Sequence, residues 1–143
     1  MKKLLLALML CGLLVLPGWA SAVTYYAPDQ ATIAWDAVTT LSDGNPIPAG
    51  DVVAYKVYLS HDGITIVGEP VEVTATQYTI TFPAGEAIWF AGVSAVRIPQ
   101  GTDIKSESSI IWSNSTDATM VPGGPFGWRT YLGPASVTGL HRP

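Results

Sequence analysis

Cysteine is nearly absent from this chain. The one residue, Cys11, lies inside an apolar run at the very start. Positive charge is scarce too, with seven Lys and Arg against 11 Asp and Glu, and two of the seven are Lys2 and Lys3. So few cations cannot neutralise a phosphate backbone, which argues against a nucleic-acid partner. The same shortage argues against an anionic membrane surface. No apolar run reaches the roughly 20 residues that cross a bilayer; the longest, Leu4 to Leu16, stops at Pro17-Gly18. Nowhere does a long stretch keep the helical period of apolar residues.

The start of the chain has a clear pattern of its own. Lys2 and Lys3 precede the apolar run, and Ala20-Ser21-Ala22 supplies small residues after it. That is the build of a secretory signal, with cleavage expected before Val23 and residues 1–22 removed. The protein is therefore expected to be secreted or periplasmic. The cleavage also takes away Cys11, so residues 23–143 contain no disulfide and rely on core and strand pairing. All 11 acidic residues stay, making the exported chain more acidic than the whole.

What remains alternates apolar and polar residues in short runs between turn residues, the signature of strands. The runs are Ala31 to Trp35, Val53 to Leu59, Ile64 to Val67, Val71 to Val73, Tyr78 to Phe82, Ile88 to Ile98, and a last strand from near Ser109 towards Met120. His61-Asp62-Gly63 suits a hairpin turn. About seven short strands at this spacing predict an all-β sandwich over residues 23–121. Inward faces are expected to hold Trp35, Tyr55, Tyr78 and Trp89, with Tyr58 and Phe90 on the opposite sheet surface.

Residues 122–143 differ in composition, with Pro122, Gly123, Gly124, Pro125, Gly127, Gly133, Pro134, Gly139 and Pro143. They read as a Pro/Gly-rich tail outside the domain. Yet Phe126, Trp128, Tyr131 and Leu140 are more apolar than a solvated linker needs.

Several segments resemble the fibronectin type III family, in the family's order. Ala31-Thr32-Ile33-Ala34-Trp35-Asp36 resembles its second strand, Ala54-Tyr55-Lys56-Val57-Tyr58 its third, and Trp89 to Val96 its sixth. Glu107-Ser108 and Ser113-Asn114 resemble the polar approach to its last strand. The resemblance implies a seven-stranded immunoglobulin-like sandwich. Two departures stand out: Trp89 replaces the usual corner tyrosine, and only Val23 to Gln30 precede the second strand, so the first is short or missing. Gly133 to Leu140 resembles the lead-in and first strand of such a domain. Three readings of the tail stay open: a disordered remnant of a second repeat, a cover folded over its own domain, or a strand added to a neighbour.

No catalytic constellation is present in the pattern. His61 and His141 stand apart from any patterned nucleophile, and the Asp residues are dispersed over turns. No cofactor and no metal site is expected; calcium would need an acidic ladder that the loops lack. The function expected is a secreted or periplasmic non-catalytic binding, adhesion or assembly module, the cell surface included, its partner a protein or a glycan. The alternatives are a structural subunit that self-associates through its tail, and a glycan-binding accessory domain. The candidate interaction residues are Tyr58, Phe90, Trp128 and Tyr131, since exposed aromatics favour interfaces and stack on sugar rings.

Overall fold

The computed structural model describes residues 22–27 and 29–133; all but the last residue of the expected signal segment 1–22 lies outside them, as do residues 134–143. The described residues contain strands and no helix. The strands are β1 (Thr24–Tyr26), β2 (Gln30–Ala34), β3 (Val52–Ser60), β4 (Val71–Val73), β5 (Gln77–Thr81), β6 (Ala87–Ile98), β7 (Ser106–Glu107), β8 (Ile111–Trp112) and β9 (Phe126–Thr130). They form a β-sandwich of two unequal sheets. The larger runs β1-β9-β6-β3-β4, and β7 and β8 also pair with β6; the smaller is β2-β5.

The longest alternating runs make the backbone of the fold. β3 and β6 pair antiparallel from Val52↔Ile98 to Ser60↔Phe90. The other edge of β6 is taken by three short pieces in succession: β7 opposite Val96 and Arg97, β8 opposite Gly92 and Val93, and β9 opposite Ala87 to Trp89. The expected last strand is thus broken. Past Trp112 the chain turns, because the Asp117 carboxylate accepts the Thr119 backbone N–H and hydroxyl and ends any extension there.

Between the sheets lie Ile33, Val57, Ile80, Phe82, Trp89, Ala91 and Trp128, with Trp35, Tyr78, Val93 and Phe126 packed against them. Burying a side chain of this kind contributes about 1.5–3 kcal/mol each. Trp128 is central, its ring 5.4 Å from Phe82 and 5.3 Å from Phe126. The expectation that residues 122–143 form a tail outside the domain therefore needs correction at residues 126–130, while its part at 134–143 lies outside the described residues. Phe126–Thr130 is an internal strand of the larger sheet, between β1 and β6. The Pro and Gly residues before it occupy the connection from β8, where Gly124 takes a φ of 83°.

The first strand is short, as expected. β1 runs parallel to β9, Thr24↔Phe126 to Tyr26↔Trp128, and leaves β2 paired with β5 alone.

Both faces of the larger sheet are covered. On the face away from the smaller sheet, Tyr58, Ser60, Phe90, Ser94 and Val96 are all buried. Two glycines explain how. A Cβ on Gly92 would stand 2.6 Å from Ile110 and 2.7 Å from the Trp112 ring, and one on Gly127 would meet Phe90 at 2.7 Å. Each glycine is a flat seat in a strand for an aromatic ring. Trp112 lies over Gly92 beside Tyr58, and Tyr25 lies by Phe90 with Arg129 above its ring.

Candidate functional site

The four residues singled out as interaction candidates separate into three and one. Tyr58, Phe90 and Trp128 are buried, and Tyr131 is 62% exposed. Tyr58 and Phe90 do point away from the main core, as their alternation required, but Trp112 and Tyr25 cover that surface. Trp128 faces the core itself. None of these three can stack on a partner without unfolding its surroundings.

Tyr58 instead belongs to a polar cluster. Its hydroxyl and that of Ser94 both donate to the Glu107 carboxylate, Ser94 at 2.6 Å, and Lys56 Nζ donates from 2.5 Å. Partial burial pushes the Glu107 carboxyl up, but the hydrogen bonds from Lys56, Ser94 and Tyr58 outweigh it and hold the group at about 2. Burial, then Glu107, pushes the Tyr58 hydroxyl up. A carboxylate so stabilised is a weak base, so Ser94 beside it is not activated as a nucleophile. The cluster pins β7 to β3 and β6.

An acid dependence follows. The folded Glu107 carboxyl titrates near 2, below its ordinary 4.5, so on acidification the unfolded chain takes up the proton first. The stabilisation is complete above about 4.5 and is lost as the pH falls towards 2. Thermal melts over this window should therefore fall with pH, and Glu107→Gln should melt lower at neutral pH and fall less steeply. A variant as acid-sensitive as the parent would contradict this role. Some slope will remain, because Asp62 is also held well below the usual range. Backbone N–H groups of Thr65 and Ile64 and the hydroxyls of Ser60 and Thr65 all donate to it.

His61 also sits in a structural setting, its Nδ1 2.7 Å from the Ile88 carbonyl and its ring 4.1 Å from Trp89. Among the described residues no three His, Cys, Asp or Glu side chains gather closely enough to hold a metal ion. No described helix is long and apolar enough to cross a membrane.

The site that stands out is the edge of β2. Trp35 N donates to Thr76 O, and Phe82 N donates to Asp29 O. Successive peptide groups of a strand face alternate sides, so Ala31 and Ile33 also turn their N–H and C=O groups to β5. Gln30, Thr32 and Ala34 turn theirs the other way, where no described strand lies.

Beside this edge the sheets stand apart. A cleft of about 540 Å³ opens there, lined by Ile33, Trp35, Val93, Ile111, Met120 and Phe126 among others. A second hollow of about 370 Å³, lined by Thr24, Tyr26 and Thr32, shares Gly123 and Phe126 with it and extends it along β2. Ile111 and Met120 are exposed. The Trp35 indole N–H is buried with no hydrogen-bond partner among the described residues.

An open row of backbone groups beside an apolar slot can take up an extended chain by strand addition. Sequence reasoning missed these lining residues. The signal for them was the shortness of the stretch before β2, which leaves that strand without a neighbour.

Comparison of the chain with known protein families, with curated proteins and with solved structures gave no match.

Proposed function

We propose that this protein is an exported, non-catalytic recognition module of the fibronectin type III kind that binds an extended polypeptide along β2. The observation that carries the reading is the open β2 edge lying beside an apolar cleft. Added-strand binding needs both: main-chain groups for affinity, and a slot for alternate side chains. The two-sheet β-sandwich, with β3, β6 and the β7–β9 pieces in one sheet and β2 and β5 in the other, is the coarser architecture on which this reading builds.

Charge supports a polypeptide over a polyanion. Lys56, Arg97 and Lys105 each pair with a carboxylate, and Arg129 lies over Tyr25. The glycan reading loses its main support, since Phe90 and Trp128 are buried.

The test is to pan a library of random octapeptides against the full protein. Enrichment of alternating, proline-free apolar sequences is expected. Ala34→Pro should abolish their binding, because it removes an N–H from the open edge and leaves the β5 ladder intact. No enrichment, or binding indifferent to Ala34→Pro, contradicts the reading.

A further inference from the structure

We infer that the polypeptide taken up along β2 is the segment following β9 of a second copy of this protein, so that copies join head to tail. The inference rests on the strand-addition reading above and names its partner.

Three observations point to that segment. After Gly133-Pro134 the sequence runs Ala135-Ser136-Val137-Thr138-Gly139, small and β-branched residues in two-residue alternation without a charge. It is thus suited to a narrow apolar slot, and its backbone can supply the donors and acceptors that Gln30, Thr32 and Ala34 lack. A carbonyl of such a strand would also give the buried Trp35 N–H an acceptor. Of the other stretches beyond the described strands, residues 36–51 and 99–105 carry Asp residues and the turns of their own loops, and the uncharged alternation of Ile64 to Val67 is tied to its own chain by the Asp62 carboxylate and by the Val67 N–H on the Leu59 carbonyl.

The direction of β9 points to a second copy. Its first residue, Phe126, lines the cleft, while its last, Thr130, lies opposite Ala87 at the far end of β6. The strand thus carries the chain about 13 Å away from the cleft. Trp35, at the other end of β2, lies against Tyr55, which is opposite Ala95. Tyr131 and Leu132 follow β9 and are exposed. Thr130 and the Trp35 end of the cleft therefore lie at opposite ends of β6. To fill its own cleft the chain would have to double back past the link from Tyr26 to Asp29 and run parallel to β2. A neighbour's segment arriving at the open mouth can run antiparallel, with the straighter hydrogen bonds. Such a contact uses different surfaces on the two copies and does not close on itself, which makes chains rather than dimers.

The test uses the exported chain from Val23, which has no cysteine of its own. Thr32→Cys and Val137→Cys are placed on separate copies, mixed and oxidised, and a third protein carries both. The expected result is a mixed disulfide that dominates over same-variant dimers, and a ladder of linked species from the double variant. Light scattering on the unsubstituted protein should show mass rising with concentration. Closure of the double variant within one chain overturns the inference, as does a monomer over a thousand-fold range of concentration.

A synthetic peptide of residues 133–143 separates this failure from failure of the reading beneath it. Peptide binding that Ala34→Pro abolishes, on a protein that stays monomeric, leaves strand addition standing and removes the second copy. A peptide that fails to bind, with no octapeptide enriched, removes both.

Discussion

A chain that ends at Val121 is expected not to fold, whereas one that ends at Leu132 should unfold in the same transition as the full protein. The shorter chain loses β9, and with it the sheet partner of β1 and the cover over the start of β6. It also loses Phe126 and Trp128 from between the sheets. Removing one large aromatic from a core costs about 3–5 kcal/mol, and whole domains are stable by only about 5–15 kcal/mol. Losing two together with their strand exceeds what a domain of this size can tolerate. Near-ultraviolet circular dichroism and thermal melts on both chains make the comparison. A cooperative transition in the Val121 chain would mean that β9 is an accessory and the domain ends where its composition changes.

Trp128→Ala alone should lower stability by about 3–5 kcal/mol, whereas Tyr131→Ala should change it by less than about 0.5 kcal/mol. The two aromatics are three positions apart, yet one is buried against Phe82 and Phe126 and the other is exposed. Thr130 holds the strand end between them, donating to the Gly85 carbonyl at 2.7 Å. Urea unfolding of both variants measures the difference. Equal effects would remove Trp128 from the core.

The strands that alternate over their whole length were legible from the sequence. Val53 to Leu59 and Ile88 to Ile98 lie within β3 and β6, and the inward positions assigned to Tyr55 and Trp89 agree with their burial. The short first strand was legible as well, from the few residues before Gln30.

What escaped has local causes. Ile64 to Val67 reads as a strand, but the Asp62 carboxylate accepts the Ile64 and Thr65 N–H groups, so only a Ser60↔Ile66 bridge forms. β9 was hidden by Pro122, Gly123, Gly124, Pro125 and Gly127, which taken as composition signify a tail. Trp128 and Phe126 were the contrary signal. The second buried face was hidden because alternation tells which side a residue faces, not whether another element covers that side. Gly92, in the middle of the most apolar run, and Gly127 were its only traces.

The pairing of β1 decided the candidate site. A strand of three residues could extend either sheet, and nothing in Thr24-Tyr25-Tyr26 selects β9 over β2.

Amide hydrogen exchange along β2, followed by NMR, tests the central claim most directly. In dilute protein Ala31, Ile33 and Trp35 should be protected by β5, while Gln30, Thr32 and Ala34 exchange freely. The second set should become protected when the peptide of residues 133–143 is added. Protection of Gln30, Thr32 and Ala34 in the dilute monomer would mean that the edge is already covered by its own chain, and would contradict the account.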